Sequence, residues 1–357
     1  MKKIKTIYVL TDYKRIPLFF SCKPFLDYSG SNYRFKIVFS INKLFKGKKS
    51  QHLILIRHPK SDLNLDNLFL KLRIFFKFIA YFDDEDSARI ARPEILKYVD
   101  VYFKKQIYKD KDFYLNRDQT IPTYVEYYRK KRTNHVDTYN NKINLLDLEK
   151  LQVAWNLSVG IYPMNTIRIR MASLVALLFG AKPAYIFLKA ITKLYKFPYS
   201  KKKDIISCQF SIPDNEDYSY QRRIIRDTFS EDERAVKTFS SERSYKKNLS
   251  SSKLTISPYG WGEICFRDTE AILAGSALIK PNMDHLETWP NIYQAFETYY
   301  PLPWDVNDTK VKVDELLKNE KLLNNLTIKA KKTLFEQLSL SDLKVEKFIT
   351  LMEEYAH

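Results

Sequence analysis

Hydrophobic and polar positions along the chain repeat one theme twice. In the first half, short runs rich in β-branched and aromatic residues (Ile4 to Leu10, Phe35 to Phe39, His52 to Arg57 and Phe78 to Phe82) predict strands. Their near-continuous apolar character fits strands buried in a parallel sheet. Between them, Leu65 to Lys77 and Arg92 to Tyr98 predict helices, so this half reads as a succession of βαβ units. The second half resumes with strands over Asp204 to Phe210, Leu254 to Ser257 and Ala277 to Lys280, and with helices over Tyr220 to Phe229 and Arg267 to Gly275. Helical signals return at Val313 to Asn319 and run on from Asn325 to Tyr355.

Two halves of this kind suit a chain of 357 residues, which exceeds what one hydrophobic core usually serves. Between them lies Met171 to Ile191, apolar but interrupted by Lys182, Pro183 and Lys189, too broken for the roughly 20 apolar residues of a membrane span. It reads as core helices near the junction, with a helix lying in a membrane interface as the second reading. Lys201 to Lys203 reads as an exposed linker. The expectation is an α/β protein of two Rossmann-like domains, residues 1–197 and 198–357, facing each other across a cleft.

Composition narrows the classes. With 45% hydrophobic and 15% aromatic residues the chain is globular, not disordered. Cys22, Cys208 and Cys265 are widely spaced and form no ligand cluster with the five histidines, which argues against structural zinc and a disulfide framework. Met1 to Leu10 reads as a first strand and not a secretory signal, so a cytoplasmic protein is expected. A net charge of +18 favours anionic partners, whether nucleic acid, a membrane surface or phosphate-bearing substrates, although much of it suits a solvated surface equally.

Three of the chain's seven glycines fall within Gly260 to Gly275. A strand ending at Ser257, a Gly260-Trp-Gly262 turn and a helix starting near Ile264 would gather backbone N–H groups and a helix N-terminus at one point, an anion site suited to a diphosphate. Arg267 and Lys280, with Arg222 on the preceding helix, could add positive charge there without a metal ion. The segment Ser257 to Lys280 resembles the nucleotide-sugar-binding motif of GT-B glycosyltransferases, in which a glycine-rich turn leads to a helix carrying Glu-Ala, then a glycine and an apolar strand. Val99 to Gln106, Trp155-Asn156, His285 to Trp289 and Pro303 to Asp305 are similar to segments of a bacterial subgroup of these enzymes.

That resemblance implies a GT-B fold, with an acceptor-binding first domain and a donor-binding second domain. It implies a nucleotide-sugar donor as substrate, no metal or other cofactor, and a glycan or lipid-linked acceptor in surface-polysaccharide assembly, such as lipopolysaccharide O-antigen or capsule. Peripheral contact with the anionic inner face of the membrane would suit such a role. In the family the helix glutamate binds the donor ribose, and Glu270 matches it. Many retaining members carry two glutamates separated by seven residues, whereas Glu263 and Glu270 are separated by six, with Gly262 at the position eight before Glu270.

Glycosyl transfer also needs a base near the anomeric carbon. Asp83 and Asp84, first of the run Asp83-Asp-Glu-Asp86 at the end of a predicted strand, are the candidates, because four neighbouring carboxylates should raise one another's pKa. His58, after Arg57 at another strand end, is the alternative. Two rival readings stand beside this one. Asp84 and Asp86 form the Asp-x-Asp of metal-dependent GT-A transferases in miniature. Basic-aromatic runs such as Tyr127 to Arg132 suggest a nucleic-acid binder, but no recognised binding motif accompanies them, so nucleic acid is not the expected partner.

Overall fold

The computed structural model describes residues 4–46, 50–57, 63–117, 119–133, 143–160, 166–192 and 197–354. His58 therefore lies outside the described residues. The first half contains β1 (Lys5–Leu10), β2 (Tyr33–Val38), β3 (His52–Ile56), β4 (Phe78–Asp83), β5 (Val101–Lys104), β6 (Gln106–Tyr108) and β7 (Leu151–Val153). All but β6 form a parallel sheet ordered β2-β1-β3-β4-β5-β7. Every residue of β3 and β4 is buried, as their unbroken apolar runs require.

The second half contributes β8 (Lys203–Ser207), β9 (Ala235–Val236), β10 (Ser252–Ile256), β11 (Ala277–Pro281), β12 (Leu286–Thr288) and β13 (Tyr300–Leu302). Five of these make a second parallel sheet, ordered β13-β11-β10-β8-β9. Both sheets reverse the direction of strand addition beside their first strand, between β1 and β3 and between β8 and β10. At such a switch point the connections leave to opposite faces and open a crevice beyond the carboxyl ends of the strands.

Two of the features that join the halves are a strand pair and a returning helix. β12 pairs antiparallel with β6, placing Thr288 opposite Gln106 and Leu286 opposite Tyr108. The segments that carry the family resemblance meet at this seam: the Asn156 side chain donates to Thr288 Oγ1 (2.8 Å) and the Pro290 carbonyl (2.9 Å), and Thr288 Oγ1 donates to the Lys105 carbonyl (2.8 Å). The chain's last described helix, Ser341–Glu354, returns to the first sheet, where Val345, Phe348, Ile349 and Met352 are buried against Ile54, Phe103 and Trp155.

Two expected helical segments differ from the reading above. The run from Asn325 to Tyr355 is broken at Leu340, where the helix Glu320–Ser339 gives way to Ser341–Glu354, so that the two can pack on different sheets. Met171 to Ile191 lies in a hairpin of the helices Thr166–Phe179 and Ala181–Thr192, hinged at Gly180, whose φ of 94° suits glycine. Only its inner side is core: Ile169, Ala172, Ala176, Ala184 and Leu188 pack on Leu18, Phe19 and Phe20. Among the described residues no helix is long and apolar enough to cross a membrane.

Phe348 stacks on Phe103 at 3.9 Å between centroids and meets Phe25 and Trp155 edge-on or tilted at 5.4 and 5.7 Å. Truncating a buried phenylalanine typically costs about 3–5 kcal/mol. Phe348→Ala should lower stability by that order in urea unfolding, because the returning helix is part of the first core and not an appendage to the second.

Candidate functional site

The end of β10 shows why the glycines cluster. The Ser257 N–H donates to the Ile279 carbonyl (2.8 Å), which holds the chain beside β11 until it turns. The turn closes through the Gly260 N–H to the Gly262 carbonyl (2.8 Å). A Cβ on Gly262 would fall on the backbone carbonyl of Asp86, so only glycine lets the second half approach the strand end of the first this closely. Tyr124, from the helix Thr123–Thr133, donates its hydroxyl to the Gly260 carbonyl (3.0 Å), and Arg222 Nε donates to the Tyr259 carbonyl (2.8 Å). Both halves thus clamp the turn.

The helix Phe266–Ala274 follows. Its third residue, Asp268, is wholly buried and accepts from the Cys265 N–H (3.0 Å), Ser257 Oγ and Tyr293 Oη (2.8 Å), and pairs with Lys280 Nζ at 3.2 Å. Gly275, at φ 68°, ends the helix in the left-handed conformation, with its N–H on the Ile272 carbonyl and the Ser276 N–H on the Ala271 carbonyl. Asp268 therefore ties helix start, strand end and β11 into one rigid block.

A cavity of about 1060 Å³ opens above this block, at the switch point of the second sheet. Arg222, Gly260, Gly262, Arg267 and Glu270 line it. Ser257, Glu263 and Lys280 do not: they lie buried beneath the turn. The wall also includes Arg226, Gln209, Phe210 and Phe239, with Ile16, Asp86 and Leu157 on the side of the first sheet. Arg222 also donates to the Ser211 carbonyl, and Arg226 donates to the Phe210 carbonyl (2.5 Å) while its Nε is buried without a hydrogen-bond partner among the described residues. Arg267 Nε donates to Ser257 Oγ (3.2 Å). Burial lowers the Arg222 pKa. Glu270 accepts a hydrogen bond from Tyr245 Oη at 2.6 Å, which fixes the carboxylate at the wall.

Glu263 is a separate device. It is fully buried and accepts from the Ala88 N–H (3.1 Å) and Gln106 Nε2 (3.2 Å), both belonging to the first half, while its Oε1 has no hydrogen-bond partner among the described residues. Burial raises its pKa, and these two donors offset that only in part. Gln106 Nε2 also donates to the Asp86 carbonyl (2.6 Å), so the same amide links Glu263 to the strand-end loop.

The acidic run is partitioned among cations instead of acting as one cluster. Burial would raise the Asp83 carboxyl, yet Lys104 Nζ at 2.8 Å and Tyr102 Oη at 2.7 Å hold it below the usual value. Asp84 accepts from Arg57 Nε (2.6 Å) and Ser21 Oγ (3.2 Å), and burial leaves its pKa raised although Lys105 and Arg57 oppose it. Neither residue lines the cavity. Asp86 does, paired with Lys105 Nζ at 2.9 Å. Asp84 thus hydrogen-bonds Arg57, while Asp86 pairs with Lys105, whose charge also acts on Asp84.

Arg226, Tyr245 and Asp268 were not singled out from the sequence, and Asp86 was named as the end of the acidic run and in the Asp-x-Asp reading but not as the carboxylate of the base. Arg226 was within reach, since it sits four residues after Arg222 on the helix Glu216–Thr228 and shares its face. Tyr245 carries no local signal, because only tertiary packing of the helix Glu242–Ser251 brings it to Glu270.

Two parallel α/β sheets with one cavity between the switch point of the second and loops of the first, and the last described helix packed on the first sheet, make up the GT-B architecture. No protein-family model and no curated protein matches the chain. Among solved structures it is similar to TarM, at 12% identity over 85% of this chain and 55% of that one, with a TM-score of 0.46. It is also similar to HepE from Anabaena in complex with UDP-glucose (8% identity, 97% and 99% covered, TM-score 0.44). A third is an alpha-glucosyltransferase in complex with UDP and a 13-mer DNA (11% identity, 98% and 100% covered, TM-score 0.43). The chain spans about half the length of TarM and nearly all of the other two.

A buried carboxyl whose folded pKa is raised stabilises fully below its ordinary value, 4.5 for Glu263, and loses that contribution as pH rises through the folded value. Glu263→Gln keeps an acceptor for the Ala88 N–H and removes the charge. The difference in melting temperature between variant and wild type should therefore grow in favour of the variant as pH rises from 4.5, measured by calorimetry.

Proposed function

We propose that this chain is a glycosyltransferase that moves a sugar from a nucleotide-sugar donor to a glycan or lipid-linked acceptor, with residues 1–197 binding the acceptor and 198–357 the donor. The observation that carries this reading is the convergence of three arginines, a helix N-terminus and one fixed carboxylate on a cavity at the switch point of the second sheet. Arg222, Arg226 and Arg267 would neutralise a diphosphate held at the start of the helix Phe266–Ala274, where backbone dipoles also favour negative charge. As the glycosidic bond breaks, charge builds on the leaving diphosphate, and preorganised cations stabilise it without reorganising. This chemistry needs no metal ion.

Glu270 would take the two ribose hydroxyls, since an ionised carboxylate offers acceptors to both while Tyr245 holds it in place. Phe210 and Phe239, farther along the same wall, offer faces for a nucleobase. The acceptor would enter from the side of Ile16, Asp86 and Leu157. Of the acidic run, Asp86 is the carboxylate that reaches the cavity, and we assign to it the contact with the acceptor hydroxyl. Asp83 and Asp84 would then serve by fixing the strand end beneath it. Assembly of a surface polysaccharide remains the biological setting that the family resemblance favours.

Loss of a charged hydrogen-bond partner typically costs about 1.5–3 kcal/mol. Glu270→Ala should therefore weaken UDP binding tenfold or more in isothermal titration calorimetry, with an unchanged circular dichroism spectrum. Undiminished affinity in a folded variant would remove Glu270 from the donor site.

A further inference from the structure

The helical hairpin Thr166–Phe179 and Ala181–Thr192 presents an apolar face with no role in the site described. Met171, Leu174 and Leu178 follow the i, i+3, i+7 spacing of one helix face and are 50%, 56% and 64% exposed, and Leu177 and Phe179 extend the patch to the Gly180 hinge. Ile169, Ala172 and Ala176, on the opposite side, hold the helix to the core. A contiguous exposed stripe of large aliphatic side chains on a monomer marks a contact surface.

Charge distinguishes the occupants. No Asp or Glu occurs between Glu149 and Asp204, whereas Arg168, Arg170, Lys182, Lys189, Lys193 and Lys196 all fall within that stretch. Arg168 and Arg170 are exposed and, by helical spacing, flank the apolar stripe on its two sides. Lys182 is exposed just beyond the hinge, and Lys189 is shared with Asp27 at 2.7 Å. A second copy of the chain meeting this face about a two-fold axis would bring arginine against arginine. An apolar stripe bordered by cations instead matches the boundary of a bilayer with anionic headgroups, where the side chains enter the acyl region and the cations pair with phosphates.

We infer that this hairpin docks the protein on an anionic membrane surface, with Met171, Leu174, Leu177, Leu178 and Phe179 inserted and Arg168 and Arg170 at headgroup level. The face continues into a groove of about 420 Å³ between the helix and Tyr13, Lys14 and Arg15. Ile16 and Ile167, next to these elements, line the large cavity, so a bilayer docked here lies beside the acceptor side of the site. Docking does not depend on the donor chemistry.

The test is co-sedimentation of the full chain with vesicles of phosphatidylcholine alone and of phosphatidylcholine mixed with phosphatidylglycerol. The protein should pellet with the mixed vesicles, far less with the neutral ones, and less in high salt. The double variant Leu174→Asp, Leu178→Asp should bind the mixed vesicles at least tenfold more weakly, with unchanged UDP affinity and melting temperature because both positions face outward. The pair Arg168→Gln, Arg170→Gln should lose the preference for the anionic mixture. Absence of the wild type from both pellets overturns the inference, as does full binding by the aspartate variant. Light scattering that finds a wild-type dimer split by the aspartates would assign the face to a second copy and likewise overturn it.

Discussion

The approach of Gly262 to the Asp86 carbonyl is the constraint on which the rest depends. Any side chain at that position would force the two sheets apart, and with them the two walls of the cavity. The surrounding contacts exploit this closeness. Glu263 reaches across to Ala88 and Gln106, Tyr124 reaches back to Gly260, and the β6–β12 pair with Asn156 and Thr288 fixes the same seam from the other side. Polar seams of this kind specify one relative placement of the halves, because each buried donor or acceptor loses its partner if the placement shifts.

The cavity is consequently built in two layers with different duties. Below, Asp268 satisfies Cys265, Ser257, Tyr293 and Lys280, and this network sets where the helix begins. Above, Arg222, Arg226, Arg267 and Glu270 face the open volume. Lys280 belongs to the lower layer, where its charge is answered within the protein by Asp268, whereas Arg222, Arg226, Arg267 and Lys237 are cations of the cavity wall. The same division separates Asp83, held by Lys104, from Asp86, which reaches the wall.

Much of this was legible in the chain. Apolar runs located β1, β3, β4, β8, β10 and β11 to within a few residues, and the spacing from Glu270 to Gly275 located a helix and its left-handed stop. What escaped depends on partners remote in sequence. β5 ends in Lys104, which reads as surface until Asp83 is placed beside it in the neighbouring strand. The acidic run was expected to raise its own pKa values, and the cations that prevent this for Asp83 and oppose it for Asp84 come from β5, Arg57 and Lys105. Met171 to Ile191 is apolar on both sides of its helices, a pattern that predicts burial but cannot say which side meets the protein.

The account's central claim is that the Gly260–Gly262 turn and the helix after it bind the donor. A crystal structure of the protein with UDP tests it most directly. The diphosphate is expected at the start of the helix Phe266–Ala274, within hydrogen-bond reach of Arg222 or Arg267, with the ribose hydroxyls on Glu270. UDP bound elsewhere, or a ribose held by other groups with Glu270 making no contact to the nucleotide, would contradict it.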